Sequence, residues 1–241
     1  MVGSLLATVP RRALAIYAHP DDAEVACGGT LATWAARGAL VHQVVATSGD
    51  KGCADPAGDP ALLVVARARE VAAAGSILGV ASQELLGIPD GEVEDDPGLR
   101  RRLVAIVRAV EPDVVLCPDP EALVFGGRYV NHRDHRKLGI AVLDAVAPAA
   151  ASPAYFPDAG RPHAVTTVLL SASLAPDAWV DIGSGLDAKI AAAACHRTQV
   201  GGGDWVGAAL RQRAAEAGRA VGVRFAEGFR RIELAAEHRP S

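Results

Sequence analysis

The segment that most constrains this chain is an apolar run that ends abruptly in four polar residues. Residues 13–18 are apolar and strand-like, and residues 19–22 read His-Pro-Asp-Asp. Pro20 cannot donate a hydrogen bond to a sheet, and it disfavours helical backbone in the residue before it. From Ala23 onward, apolar residues recur at helical spacing. We therefore predict a strand, a tight polar loop and a helix, an order that places polar side chains where open α/β sheets bind ligands.

The polar loop has the residue types of a divalent-metal site. His19 and Asp22 lie three residues apart and offer an imidazole nitrogen and a carboxylate oxygen to one ion. Asp21, between them, would then point elsewhere and act on a metal-bound water. The alternative is that His19 is a packed histidine and the aspartates cap the following helix, a position that Asp favours.

A second cluster bears on that choice. Residues 131–135 read Asn-His-Arg-Asp-His, so that His132 and His135 lie three apart at the start of a predicted helix and face roughly the same side. One of them can complete a His-Asp-His ligand set with an open position for water, and the other can stand near a reacting carbonyl. Two histidines at this spacing, taken alone, are also common on helix surfaces. Two polar clusters, each after an apolar strand, favour a metal site.

The remaining pattern alternates strands and helices. It predicts an α/β fold with a Rossmann-like, mostly parallel sheet flanked by helices and an antiparallel C-terminal extension. No linker divides the chain, so we expect a single domain over residues 1–241. The predicted strands after residue 18 are 40–47, 85–88, 113–118, 166–173, 179–182 and 223–234, and the predicted later helices are 62–78, 97–110, 184–197 and 205–219. The strands at 166–173 and 179–182 are expected to pair as an antiparallel hairpin.

Composition excludes several classes of function. The net charge of −4 argues against a nucleic-acid binder, which needs a basic face to replace phosphate counterions. No apolar run approaches the roughly 20 residues that cross a bilayer, and the start of the sequence does not resemble a secretory signal. The four cysteines are widely spaced and are interpreted as reduced thiols. We therefore expect a soluble, cytoplasmic protein with neither a nucleic acid nor a membrane as its partner.

The chain resembles the PIG-L/LmbE-like zinc-dependent N-deacetylases, which include mycothiol- and bacillithiol-pathway and antibiotic-tailoring enzymes. The resemblance runs nearly end to end. Its more specific motifs are residues 18–24, Gly28-Gly29-Thr30 and residues 132–135; supporting motifs are Arg67-x-x-Glu70, residues 86–90, Lys189, residues 196–199 and residues 226–229.

The resemblance implies a role for each candidate residue. His19, Asp22 and His135 would hold Zn²⁺, with Fe²⁺ or another divalent ion as the alternative. Asp21 would be the general base, His132 would carry positive charge opposite the tetrahedral oxyanion, and Asp134 would orient His132 and keep it protonated.

Two further residues have a substrate-binding role by the same resemblance. Arg67 would point into a sugar pocket, and Asp90 would contact sugar hydroxyls. From the residues alone, Arg67 and Glu70 are equally a surface pair three apart on a helix, and Asp90 belongs to a Pro-Asp-Gly turn.

The function that follows is removal of an N-acetyl group from an N-acetylglucosamine-type sugar in a small-molecule glycoside. The alternatives are an amidase of a larger acyl conjugate and a catalytically inactive binding relative, although Asp21 and His132 are not needed for metal binding alone. A nucleotide-binding protein is less favoured because no Gly-x-Gly-x-x-Gly follows the first strand. The expected partner is the glycoside, and homo-oligomerisation is left open.

Overall fold

A computed structural model describes residues 4–52, 59–201 and 205–234. Its strands are β1 (Ser4–Leu5), β2 (Arg12–Tyr17), β3 (Leu40–Thr47), β4 (Ser82–Ile88), β5 (Val114–Pro118), β6 (Val124–Phe125), β7 (Tyr129–Val130), β8 (Thr167–Ser171), β9 (Ala178–Asp181) and β10 (Ala226–Glu233). Its helices are α1 (Asp22–Ala36), α2 (Pro60–Leu78), α3 (Pro97–Val110), α4 (Arg133–Asp144), α5 (Leu186–Ala193), α6 (Arg197–Val200) and α7 (Trp205–Arg219), and a π-helical turn (Ala145–Ala150) follows α4.

The main sheet has eight strands in the order β1-β9-β10-β8-β5-β2-β3-β4. All neighbouring strands are parallel except β10, which runs antiparallel to both β8 and β9. This confirms the predicted α/β fold with a mostly parallel sheet and an antiparallel C-terminal addition. Strands β6 and β7 form a separate two-stranded hairpin.

The predicted hairpin between residues 166–173 and 179–182 is wrong. Strands β8 and β9 occupy those positions but do not pair, because β10 lies between them and pairs with both. The turn between β8 and β9 favoured pairing of these two consecutive strands, whereas β10, the last strand in the chain, lies between them.

Helix boundaries follow their capping residues. Helices α2 and α3 each begin with a proline, and the preceding aspartates, Asp59 and Asp96, accept hydrogen bonds from backbone N–H groups of the first turn, as capping residues do. Helix α2 ends at Gly79, whose φ of 75° is the left-handed conformation that glycine tolerates.

The central strand β2 is buried on both faces. Leu14 and Ile16 pack into one core with α3 and α4. Ala15 and Tyr17 pack into the other core with residues of α1, among them Leu31. From β2 the chain passes to β3 on one side, and β5 lies on the other side. The carboxyl end of β2 is therefore a topological switch point, where open α/β sheets bind their ligands.

Candidate metal centre

Two loops bring three potential metal ligands together at the carboxyl end of β2. His19 lies in the loop between β2 and α1, Asp22 begins α1, and His135 lies in the first turn of α4. His19 Nδ1 is 3.2 Å from Asp22 Oδ2 and 3.1 Å from His135 Nε2, and the last two atoms are 3.1 Å apart. We call these three side chains the ligand cluster; their ligand atoms form a nearly equilateral triangle.

The outer nitrogen of His135 carries a proton. Asn131 Nδ2 donates to the carbonyl of Ala122 at 2.8 Å, which fixes the orientation of the Asn131 amide. Its Oδ1 is then the atom that lies 2.9 Å from His135 Nδ1. An amide oxygen only accepts, so His135 Nδ1 donates and Nε2 of the neutral ring presents a lone pair to the ligand cluster.

The outer nitrogen of His19 also faces acceptors. His19 Nε2 is 3.1 Å from Asp90 Oδ1 and 3.4 Å from Asp134 Oδ2. Ionised carboxylates only accept hydrogen bonds, so the proton of a neutral His19 lies on Nε2 and the lone pair on Nδ1. Such carboxylate partners are the usual support of metal-binding histidines.

Three lone pairs therefore point at one another, and a cation is needed among them. In a tetrahedral zinc site with bonds of 2.0–2.1 Å the ligand atoms are roughly 3.3–3.4 Å apart, close to the separations of 3.1–3.2 Å here. The donor set of two imidazoles and one carboxylate suits Zn²⁺ or Fe²⁺. The residues present fit a divalent ion.

Without a divalent ion, a proton on His19 supplies part of the positive charge that the ligand cluster needs. Burial alone would lower the pKa of His19, but hydrogen bonds with Asp22 and Asp90 outweigh it and raise this pKa to about 10. Burial opposes the charge of Asp22, but His135 and His19 lower the pKa of its carboxyl well below the ordinary value. Asp22 is thus ionised and available to a metal at neutral pH.

Asp21 lines a cavity beside the ligand cluster and has an unusual backbone conformation. Its φ is 104°, a region that costs free energy for a non-glycine residue and that is common at functional sites. Burial and the charge of Asp22 raise its pKa to about 7, against the charges of His196 and Arg67. A carboxylate with a pKa near 7 is suited to accept and return a proton at neutral pH.

His132 and Asp134 are both at the site, but they do not contact each other as the sequence predicted. Asp134 is fully buried, and its carboxylate accepts N–H bonds from Gly91 at 2.7 Å and Val93 at 3.3 Å. The carboxylate is 3.9 Å from His132 Nδ1, which instead accepts the backbone N–H of Asp134 at 3.3 Å. Asp134 therefore supports His19 more closely than it supports His132.

The neighbouring charges do not favour a protonated His132. Burial and the charge of His19 lower its pKa, while Asp134 and Asp90 oppose this. Because Nδ1 accepts the backbone N–H of Asp134, a neutral His132 carries its proton on Nε2. It can still donate one hydrogen bond into the cavity.

The two predicted substrate-binding residues line the cavity beside the ligand cluster. This cavity has a volume of about 210 Å³, and its walls are His19, Asp21, Asp22, Gly52, Arg67, Asp90, Tyr129, His132, His135 and Gln199. Arg67 is 2% exposed, and its Nε and Nη2 atoms have no hydrogen-bond partner among the described residues. Asp90 contacts His19 from the cavity wall.

Glycines make room for Arg67. A Cβ on Gly49 would lie 1.9 Å from Arg67 Nη1, and a Cβ on Gly52 would lie 2.2 Å from Nη2. The glycine-rich turn after β3 thus packs against the guanidinium and forms one wall of the cavity. Glu70 does not pair with Arg67; it accepts hydrogen bonds from Thr198.

Sequence reasoning missed three contributors to the site. Asn131 orients His135, and its position four residues earlier on the same segment is the signal that was available. Gln199 and Tyr129 also line the cavity. Gln199 lies in the supporting motif at residues 196–199, which carried no site assignment, and no local pattern distinguishes Tyr129. Of the cysteines, Cys27 and Cys117 are buried with raised pKa values, because burial disfavours the thiolate, and Cys53 lies outside the described residues.

Comparison with known proteins gives a consistent result. Residues 14–146 match the family model described as PIG-L, GlcNAc-PI de-N-acetylase. Diacetylchitobiose deacetylase of Thermococcus kodakarensis is 30% identical over 91% of this chain and 82% of its own length. The 1D-myo-inositol 2-acetamido-2-deoxy-alpha-D-glucopyranoside deacetylase of Rhodococcus opacus is 32% identical over 79% of this chain and 82% of its own length.

Solved structures share the fold. N,N'-diacetylchitobiose deacetylase of Pyrococcus horikoshii, in complex with an inhibitor, superposes with a TM-score of 0.84 at 28% identity, over 93% of this chain and 84% of the other. GalB, the 4-carboxy-2-hydroxymuconate hydratase of Pseudomonas putida, has a TM-score of 0.77 at 25% identity, over 96% and 100% of the two chains. Within the described residues, no helix combines the length and apolarity needed to cross a membrane.

Proposed function

The chain belongs to the PIG-L family, and from that premise we propose that it is a divalent-metal-dependent hydrolase, with zinc as the first expected ion. The reaction is hydrolysis of the N-acetyl group of an N-acetylglucosamine-type sugar in a small glycoside, the class to which the named substrates of its relatives belong. The observation that carries the proposal is the ligand cluster, whose three lone pairs converge beside Asp21 at the wall of a polar cavity.

The fold alone would not support this choice, because GalB has the same fold and is named a hydratase. Function therefore has to be argued from the side chains of the site. The two alternatives that the sequence left open, an amidase of larger acyl conjugates and an inactive binding relative, gain no support from these relatives. The presence of Asp21 with a pKa of about 7 favours turnover over binding alone.

Each residue then has a defined task. A bound divalent ion would acidify a water molecule and polarise the acyl oxygen, and His19, Asp22 and His135 would hold it. Asp21 accepts the proton of the attacking water and returns it to the departing amine, which its pKa near 7 allows in both directions. His132 donates its Nε2–H to the oxygen that becomes negative as the carbonyl carbon turns tetrahedral.

The remaining candidate residues bind the sugar or orient a metal ligand. Arg67 and Asp90 bind sugar hydroxyls in the cavity that they line, and the two Arg67 nitrogens without a partner among the described residues supply donors for them. Asp134 keeps the ring of His19 oriented through its buried carboxylate. We further propose one domain around the continuous eight-stranded sheet, and a cytoplasmic location in keeping with the free thiols of Cys27 and Cys117.

Amine release tests the proposal directly. Metal-loaded protein is incubated with a panel of N-acetylglucosamine glycosides, including chitobiose and inositol derivatives, and primary amine is measured. We expect turnover that a chelator abolishes and added Zn²⁺ restores, while the Asp21→Asn protein loses nearly all turnover with its metal bound. Turnover that is insensitive to the chelator, or no turnover of any glycoside by the metal-loaded protein, would contradict it.

A further inference from the structure

A buried ion pair contacts helix α1 just behind the ligand cluster. Lys189 of α5 pairs with Glu227 of β10, and the two side chains are 4% and 5% exposed. Glu227 accepts the backbone N–H groups of Gly29 at 3.0 Å and Thr30 at 2.7 Å. Lys189 donates to the carbonyl of Val25 at 2.8 Å. All of these backbone contacts are made to one helix.

The contacts meet both partners of one helical hydrogen bond. In a regular α-helix the N–H of Gly29 bonds to the carbonyl of Val25, four residues earlier. Here Glu227 engages that N–H, and Lys189 engages that carbonyl. Side chains that enter the backbone hydrogen-bond ladder set the local direction of a helix. The helical turn that Lys189 and Glu227 contact begins at Val25, three residues after Asp22.

The sequence of α1 provides the space for this arrangement. A Cβ on Gly28 would lie 3.3 Å from Lys189 Cγ, and a Cβ on Gly29 would lie 2.6 Å from Ile182 Cδ1 and 3.1 Å from Glu227 Oε1. The two glycines therefore let the ion pair and β10 approach the helix backbone closely. This accounts for a glycine pair inside a helix, where glycine otherwise lowers stability.

A buried ion pair is seldom the most stabilising choice for a core, because removing two charges from water has a large cost. Its retention is easier to explain by what it positions. We propose that Lys189 and Glu227 are positioning residues for the metal centre. They fix the first turns of α1 so that Asp22 reaches His19 and His135 and Asp21 faces the cavity. The inference rests on the proposed metal site.

Binding of Co²⁺ alone provides the test, without any substrate. The variants are Lys189→Met and Glu227→Gln, measured for Co²⁺ affinity by chelator competition, for the visible absorption of bound Co²⁺, and for thermal stability. The matched control is Arg108→Met. Arg108 is also buried and donates to backbone carbonyls, among them Ala149 and Ala150, but it does so on the other face of the sheet.

We expect both variants to weaken Co²⁺ binding at least tenfold and to shift the absorption bands. Arg108→Met should lose thermal stability yet keep the affinity and spectrum of the parent. If the neutral variants do not fold, the same measurements are made on Glu227→Asp. Its shorter carboxylate cannot reach the Gly29, Thr30 and Lys189 donors together. A parental Co²⁺ affinity and spectrum in the folded variants would overturn the inference. Absence of Co²⁺ binding by the parent would instead overturn the metal site itself.

Discussion

Two groups of ionisable side chains meet the first turns of α1, and they differ in how hydrogen-bond donors and acceptors are matched. In the Lys189–Glu227 ion pair, the carboxylate receives N–H donors from Gly29, Thr30 and Lys189. In the ligand cluster, His19 Nδ1, Asp22 Oδ2 and His135 Nε2 turn acceptors toward one another, because their outer partners take the ring protons.

The ion pair is the more deeply buried of the two, with side chains 4% and 5% exposed against 13–22% in the ligand cluster. The difference in function follows from the balance of hydrogen-bond donors and acceptors. A balanced group holds elements of the fold in place. An unbalanced group needs a cation among its acceptors, either a proton or a metal ion, and the cavity beside it gives an ion access. This distinction favours a cation site at the ligand cluster without reference to any relative, and it predicts different consequences for changes in the two groups.

The largest effect is expected from removing one ligand. His19→Ala deletes a corner of the triangle, and the two remaining ligands should not retain the ion. Metal analysis after dialysis should find wild-type protein with about one ion per chain and the variant with none, and turnover should fall to the background. Stoichiometric metal in His19→Ala would exclude His19 as a ligand.

The next largest effect concerns Asp21. Asp21→Asn keeps the size of the side chain but cannot accept a proton, so kcat should fall about 10²- to 10⁴-fold, the usual contribution of a general base. Metal content should be unchanged, since Asp21 is not part of the ligand cluster. Metal-loaded Asp21→Asn with the wild-type kcat would assign the proton transfer to another group.

A smaller loss is expected at His132. His132→Phe removes the Nε2–H that faces the cavity, and loss of one such donor costs about 2.7–4 kcal/mol in the transition state. We expect kcat to fall about 10²- to 10³-fold with little change in KM or metal content. A change confined to KM would mean that His132 binds the substrate rather than stabilising the oxyanion.

The smallest effect belongs to Asn131, which meets the ligand cluster only through the outer nitrogen of His135. Asn131→Ala frees the ring to change orientation or tautomer, and loss of such a partner typically weakens metal affinity about 10- to 100-fold. Competition with a chelator measures this directly. An affinity equal to that of the wild type would show that the orientation of His135 is fixed by packing instead.

Much of the fold, and the convergence of His19, Asp22 and His135, could be predicted from local sequence. Apolar periodicity and proline positions predict the helices at 97–110 and 205–219, and the structure has both at those bounds. They also predict a strand that ends at residue 18, and β2 ends one residue earlier, at Tyr17. His19, Asp22 and His135 could be placed together because the carboxyl ends of parallel strands meet at one edge of the sheet.

The parts that could not be predicted depend on contacts between distant segments. The insertion of β10 between β8 and β9 is not encoded in the turn that joins those two strands. Asp134 was assigned to its sequence neighbour His132, but the fold turns its carboxylate toward Gly91, Val93 and His19. The contact of Glu227 with Gly29 spans 198 residues, which no spacing rule detects.

Calorimetric titration of metal-free protein with Zn²⁺ tests the central claim most directly. Hydrogen bonds with Asp22 and Asp90 raise the pKa of His19 to about 10, so a proton occupies the ligand cluster at neutral pH and the ion must displace it. Affinity should rise about tenfold per pH unit between about pH 6 and 8, with one Zn²⁺ bound and about one proton released per chain. Weak binding without defined stoichiometry, or binding that releases no proton, would contradict the account.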